Sequence, residues 1–256
     1  MTRVIKLGGR AHADPRVFAL LGQAWRAAEG SLCVVHGGGD EVSAMQRILG
    51  RKPEFVGGRR VTSKADLDLL RMVLSGVVNK RIVNQLLTLG VPAVGLSGED
   101  GALIAAETID SACLGFAGRV ISVNVRLLRA LMHGGNLPII SPVSFDGGNP
   151  EGGALNVNGD DAAAAIAGAL QAEELLLIAD VDGVRGEGSE VIKTLSTESA
   201  QSLIENGIAV EGMAAKLEAA KNALSSGVGS VRISGLSGLV DDACGTIVTQ
   251  FQGVPS

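Results

Sequence analysis

A chain of 256 residues, 46% of them hydrophobic, is long enough to bury a large core in one or two domains. A formal net charge of −5 with no basic stripe argues against nucleic-acid partners, and 2% aromatic residues with no tyrosine leave no stacking platform for bases. No apolar run reaches the roughly 18 residues that cross a bilayer, and Cys33, Cys113 and Cys244 lack paired metal or redox spacing, so a cytoplasmic chain with reduced thiols and no membrane partner is expected.

"RVIKLG" (3–8) enters a strand at once, without a leader pattern. A helix follows over about 15–28, then the buried strand "LCVVHG" (32–37) and a helix over about 41–49. The stretch 64–90 carries apolar residues at three- and four-residue spacing and ends at Gly90 and Pro92, so it reads as one long helix. "AVGLSG" (93–98) is a strand opening into a turn. "GALIAAE" and "RVISVN" read as short antiparallel strands, followed by a helix over 125–135 and a strand over 137–145. An alanine-rich helix (160–170) precedes a buried strand (174–181). Helices over about 197–206 and 211–226 and strands at 231–235 and 245–250 close the chain.

Alternation of this kind predicts an α/β fold with a mainly parallel sheet covered by helices on both faces. The alanine-rich helix marks the best internal boundary, which predicts lobes over 1–170 and 171–256.

Ligands of open α/β sheets sit beyond the carboxyl ends of the strands. The turns there hold Lys6 with Gly8 and Gly9, Gly37 to Gly39, the loop from Ser97 to Gly101, the run Asn156, Asn158, Asp160 and Asp161, and "ADVDGV". Neither a P-loop nor a G-x-G-x-x-G fingerprint is present. The three consecutive glycines before a helix either cradle an anion with unpaired N–H groups or serve tight packing alone. Lys6 lies inside an apolar strand, where an unpaired charge is expensive, unless its ammonium reaches the sheet edge. Lys216 reads as an ordinary helix-surface lysine, and Asp160 as a helix N-cap. Arg60 and Arg59 compete for one role beside a helix start. The histidines lack zinc-ligand spacing, and no nucleophile motif is present.

Together "VIKLGG", "VVHGGG", "GGRRVT", "GLSGEDG", "LNVNGDDAA", "ADVDGV" and "GIAVEGMAAKLEAA" occur in the order seen in the amino-acid kinase family, which the chain resembles from residue 3 to about residue 249. The branch acting on acylated glutamate is the nearest. The resemblance implies a three-layer α/β/α sandwich, with an N-terminal lobe for the acyl amino acid and dimerisation and a C-terminal lobe for ATP. It gives Lys6 and Lys216 the role of phosphate-stabilising cations and Asp160 that of their anchor. Gly9 and Gly38 become backbone donors to the transferred phosphoryl group. Gly38, Gly39, Arg60 and Asn156 become acceptor contacts. The nucleotide is expected along Asp180, Val181, Asp182, Gly183, Val184 and Arg185, and along Ile208, Ala209 and Val210.

The implied reaction is phosphorylation of the γ-carboxylate of N-acetyl-L-glutamate in arginine biosynthesis, with Mg²⁺ carried on ATP and no metal held by the protein itself. A carboxylate with an ordinary pKa of about 4.3 is already ionised at neutral pH, so no general base is needed. Positioning and charge neutralisation carry the transfer. The alternatives are a kinase of N-succinylglutamate, aspartate or carrier-bound aminoadipate, and a non-catalytic sensor of ATP or amino acid. "GGRRVT" favours a free acylated glutamate, and the presence of Lys6, Asp160 and Lys216 together disfavours a sensor. Arg10 departs from the small or short polar residue common in the family. It either faces solvent, the preferred reading, or enters the site to meet a charged acyl group such as succinyl. Only two residues precede Arg3, where arginine-inhibited members carry an extra helix, so an uninhibited homodimer joined through 64–90 is expected.

Overall fold

The computed structural model describes residues 2–8, 10–186 and 190–250. Its strands are β1 (Arg3–Leu7), β2 (Leu32–His36), β3 (Phe55–Val56), β4 (Arg59–Arg60), β5 (Ala93–Gly98), β6 (Ile104–Thr108), β7 (Ala117–Val123), β8 (Leu137–Asp146), β9 (Ala154–Val157), β10 (Glu174–Ile178), β11 (Thr194–Ser196), β12 (Ser230–Ser234) and β13 (Thr246–Thr249). The helices are α1 (Arg16–Ala27), α2 (Gly39–Ile48), α3 (Lys64–Leu70), α4 (Asn79–Thr88), α5 (Ser111–Leu114), α6 (Val125–His133), α7 (Gly159–Leu170), α8 (Thr197–Glu205) and α9 (Glu211–Ser225).

One large sheet runs in the order β11-β13-β12-β10-β1-β2-β8-β6-β7-β9, with β5 also paired to β8. At its centre β1 lies parallel to both β10 and β2. The antiparallel pairs β12–β13, β6–β7 and β8–β9 lie away from that centre. Every residue of β2 and β10 is buried, which explains why they read as unbroken apolar runs rather than alternating ones.

Residues of β1 alternate between two cores. Val4 packs with residues of α7 and α9, whereas Ile5 and Leu7 pack with α1, α2 and α3. The chain is thus a three-layer α/β/α sandwich around a mainly parallel sheet. Small residues set the spacing of one outer layer. Ala162, Ala163 and Ala167 of α7 and Ala219, Ala220 and Ala223 of α9 are all buried where the two helices pack. At Gly168 a Cβ would stand 2.7 Å from that of Ser226, so the end of α7 approaches the turn after α9 more closely than a side chain allows.

The stretch 64–90 departs from the single α-helix expected of it. Between α3 and α4 the segment Arg71–Val78 winds as a π-helix. The apolar stripe survives that change of winding, so periodicity over the whole stretch does not expose it. The hairpin β3–β4 and the strands β9 and β11 were also not anticipated. All are four residues or shorter, below the length at which alternation becomes legible. The hairpin turns on Gly57 and Gly58, both at positive φ (55° and 74°), as a two-residue turn matched to strand twist requires.

Candidate functional site

Lys6 points to the face of the sheet that α7 and α9 cover, and both helices bring a charge to it. The cap of α7 is Asn158, whose side chain accepts the backbone N–H of Asp160 at 2.8 Å, so Asp160 is not the N-cap that sequence reading made it. Its carboxylate is left to the lysines. Lys6 Nζ lies 2.9 Å from Oδ1, and Lys216 Nζ lies 3.4 Å from Oδ2. All three residues are buried, at 6%, 5% and 9% exposure for Lys6, Asp160 and Lys216. The ammonium of Lys6 therefore does not escape to the sheet edge, and Lys216 is not a surface lysine.

Burial works against the Asp160 carboxylate, but the ammonium groups of Lys6 and Lys216 outweigh it and hold the carboxyl below its ordinary range. Lys216 is pulled the other way. Burial and the like charge of Lys6 lower its pKa, and Asp160 offsets this only in part. The trio carries one net positive charge in a place poor in water, which is costly unless an anion completes it.

The glycine turn adjoins the trio. Gly38 has φ 148°, a backbone shape that strains any side chain, and a Cβ there would stand 2.7 Å from Leu74 Cδ2, so Leu74 would have to move. Gly39 opens α2, with its first-turn N–H groups free of side-chain caps. The peptide oxygen of Gly39 accepts from Arg60 Nη2 at 2.8 Å, and the same nitrogen donates to Ser43 Oγ at 2.8 Å. Arg60 Nη1 donates to Gln46 Oε1, and the guanidinium lies over the Phe55 ring at 4.6 Å. With these bonds three of the five guanidinium hydrogens are used. Asn156 donates to Thr62 Oγ1 at 2.9 Å, and Thr62 in turn donates to the Arg60 peptide oxygen at 3.0 Å.

Two adjoining cavities share Gly39. One, of about 420 Å³, is lined by Lys6, Gly8, Arg10, Asp180 and Lys216 among others. The other, of about 140 Å³, is lined by Gly38, Arg60, Leu74, Asn156 and Asn158. A larger cavity of about 860 Å³ opens around Thr2, Ser31 and Gly135, at the opposite end of the strands, and contains none of the residues singled out above.

The remaining candidates are more scattered. Asp180 and Val181 line the larger of the two adjoining cavities, whereas Asp182 faces a neighbouring hollow beside Leu236. The side chains of Val184 and Ala209 are buried in the core, and the Val184 N–H donates to Thr246 Oγ1 at 2.8 Å. Gly183 sits against Val191 with φ 157°, and Arg185 bridges to Val191 through the backbone. Ile208 is half-buried, and Val210 is exposed at the start of α9. Gly9 lies outside the described residues. Sequence reading missed Ser43 and Gln46, which hold Arg60. Their three-residue spacing on α2 is the only signal they carry, and it does not name a partner.

His36 precedes the glycines but faces the side of the sheet opposite Lys6. It is fully buried, its Nδ1 donates to the Gly37 oxygen at 2.8 Å, and its Nε2 accepts from Asn79 at 3.1 Å. Burial lowers its pKa to about 4, so it is neutral at physiological pH.

Two lysines on one buried aspartate, beside glycine-lined turns at the carboxyl ends of parallel strands, form a site for bringing anions together, as phosphoryl transfer requires. A match to the amino acid kinase family spans residues 1–235, and the chain belongs to that family of phosphotransferases. It is 41% identical over 244 residues to an acetylglutamate kinase of Cereibacter sphaeroides, covering 94% of this chain and 82% of that one. An acetylglutamate kinase of Geobacillus kaustophilus is 42% identical over 234 residues, with 91% and 89% covered. Among solved structures, smu.665 of Streptococcus mutans UA159 superposes with a TM-score of 0.87 at 29% identity, covering 98% of this chain and 99% of that one. An N-acetylglutamate synthase of Neisseria gonorrhoeae, complexed with coenzyme A and N-acetyl-glutamate, superposes with a TM-score of 0.83 at 26% identity, and the match spans 98% of this chain and 60% of that one.

Proposed function

We propose that the chain transfers the γ-phosphoryl group of ATP to the γ-carboxylate of N-acetyl-L-glutamate, giving N-acetylglutamyl 5-phosphate and ADP, as a step of arginine biosynthesis. The carrying observation is the buried Lys6–Asp160–Lys216 trio at the junction of the two adjoining cavities. A carboxylate oxygen forms the new bond to phosphorus while the bond to the bridging oxygen of ADP breaks. Both reactants are anionic, so the barrier is electrostatic and no proton has to be moved by the protein.

The acceptor occupies the smaller cavity, between Arg60 and Asn156, with the Gly38 and Gly39 backbone beneath its reacting end. The triphosphate occupies the larger one, its terminal phosphate between Lys6 and Lys216. The nucleoside extends over Asp180 to Arg185 and Ile208 to Val210. On this reading residues 1–170 hold the acceptor, residues 171–256 hold the nucleoside, and the phosphate-facing groups come from both. Mg²⁺ enters with ATP and neutralises part of its charge. Asp180 on the rim is an oxygen donor of the kind it takes, and the described residues contain no cluster of three ligands that would hold it without the nucleotide.

Met72, Val77, Leu87 and Leu89 leave an exposed apolar face along the helical stretch 64–90, which we assign to a homodimer contact. No helix among the described residues is long and apolar enough to cross a membrane, and we place the enzyme in the cytoplasm.

The test is turnover of a panel of acids with Mg-ATP, the acyl phosphate being trapped by hydroxylamine. N-acetylglutamate is expected to give the highest kcat/KM, above N-succinylglutamate, glutamate and aspartate. Preference for another acid would reassign the substrate, and turnover of none would remove the kinase reading.

A further inference from the structure

Arg10 is exposed, at 72%, yet it is not a free surface charge. Its Nε donates to Asp40 Oδ2 at 3.0 Å and its Nη1 to Asp180 Oδ2 at 3.4 Å. Asp40 belongs to the first turn of α2 beyond the glycine turn, whereas Asp180 follows β10. The guanidinium therefore spans the mouth of the cleft lined by Lys6 and Lys216, joining its two walls.

Charge bookkeeping gives that position a purpose. Lys6 and Lys216 face three aspartates, Asp160, Asp40 and Asp180, so without Arg10 the cleft has a formal charge of −1. Arg10 brings it to zero. The net positive charge of the Lys6–Asp160–Lys216 trio is more than offset at the mouth by Asp40 and Asp180, which repel a polyphosphate unless Arg10 neutralises one of them. The pairs that hold Arg10 are exposed, with Asp40 and Asp180 at 66% and 50%, and ion pairs of this kind are weak and easily exchanged. Phosphate oxygens match the guanidinium fork better than single carboxylate oxygens at these distances.

Resting on the kinase reading above, we propose that Arg10 is a phosphate-positioning residue of the nucleotide cleft: a third cation, held at the rim by Asp40 and Asp180, that turns onto the polyphosphate when nucleotide binds. It does not select a charged acyl group, because Arg10 lines the nucleotide-side cleft and the hollow beside it but not the acceptor cavity.

The test compares binding of AMP, ADP and the non-hydrolysable triphosphate AMP-PNP, each with Mg²⁺, to the wild type, Arg10→Ala, Arg10→Lys and Asp40→Asn by calorimetry, alongside KM for each substrate. Arg10→Ala is expected to weaken AMP-PNP about tenfold or more and to leave AMP unchanged. KM for ATP rises and KM for the acceptor does not. Arg10→Lys recovers part of the loss, and Asp40→Asn, which frees the guanidinium, binds AMP-PNP at least as tightly as the wild type. Arg10→Ala binding AMP-PNP like the wild type overturns the proposal, as does equal weakening of AMP or a rise confined to the acceptor KM. These outcomes leave the kinase reading standing if the wild type turns over. A wild type that binds no nucleotide removes both.

Discussion

The backbone amide of Asp160 donates to the side-chain oxygen of Asn158 at 2.8 Å, and that bond decides what the Asp160 carboxylate can do. With the end of α7 satisfied by a neighbour, the carboxylate serves Lys6 and Lys216 alone. Asp160→Asn keeps shape and helix cap but leaves two ammonium groups without a counter-charge. We expect kcat to fall by about two orders of magnitude, the size seen when one preorganised electrostatic group is lost, with unchanged far-UV circular dichroism. A variant as fast as the wild type would show that the lysines need no anchor.

Lys6→Ala and Lys216→Ala should each cost about 3 kcal/mol in the transition state. Affinity for AMP-PNP should change far less, since the lysines meet charge that builds during transfer. Single-turnover trapping of the acyl phosphate separates the two effects. The double variant should lose less than the product of the single losses, because both lysines act through one shared carboxylate.

Gly38 and Gly50 both have positive φ, at 148° and 70°, but only Gly38 is crowded. A methyl group at Gly38 meets Leu74 at 2.7 Å, whereas at Gly50 nothing lies within 4 Å. Gly38→Ala is expected to lose about 3 kcal/mol of stability and Gly50→Ala about 1 kcal/mol. Urea melts of the two variants give the comparison, and equal losses would mean that the packing around Gly38 yields freely.

Acid should destabilise the fold before its carboxylates titrate. The folded pKa of His36, about 4, lies below the ordinary 6.5, so the unfolded chain takes up its proton first. Stability is then flat above pH 6.5 and falls between pH 6.5 and 4, by about 3 kcal/mol over the whole window. Asp160, with its pKa lowered from 3.8, adds stability above that value and loses it only at lower pH. Urea melts at pH 7.5, 5.5 and 4.5 test this. His36→Gln should shrink the loss in the upper window, where His12, its pKa also lowered from 6.5 by burial, supplies the remainder, and leave the acid limb in place.

Arg232 carries a separate, structural charge. It donates to Glu174 Oε1 at 2.8 Å, to Asp242 Oδ1 at 2.9 Å and to the peptide oxygens of Gly238, Asp241 and Cys244, and it is 2% exposed. Arg232→Met leaves Glu174 to Arg3 alone and strands the peptide oxygens of Gly238, Asp241 and Cys244, and should cost about 3 kcal/mol. Arg232→Lys should recover little, because a single ammonium cannot reproduce the fork. Chemical denaturation reads both.

The central strands and most helices were legible because unbroken apolar runs and three- to four-residue spacing survive any tertiary context. The site was legible in parts. Lys6 stood out because a charge inside an apolar strand demands a partner. Lys216 did not, since its burial comes from the alanine faces of α7 and α9 meeting, a property of two distant segments at once. Arg60 was named as an acceptor contact, but its ties to Ser43 and Gln46 depend on how the hairpin β3–β4 folds over α2. Asn158 was hidden by its own cluster, because several residues in "NVNGDD" are competent caps.

The π-wound stretch Arg71–Val78 fixes the phase of everything after it. Its wider winding turns each residue by less than the about 100° of an α-helix, so rewinding the same residues as α would rotate α4 against the sheet, whereas loss of one residue is absorbed by that rewinding. The extra residue and the π winding therefore go together, and they set where Asn79 meets His36 and the peptide oxygens of Leu96 and Ile139. Leu74 and Val78, which crowd Gly38, lie within the same wound segment and take their places beneath the glycine turn from it.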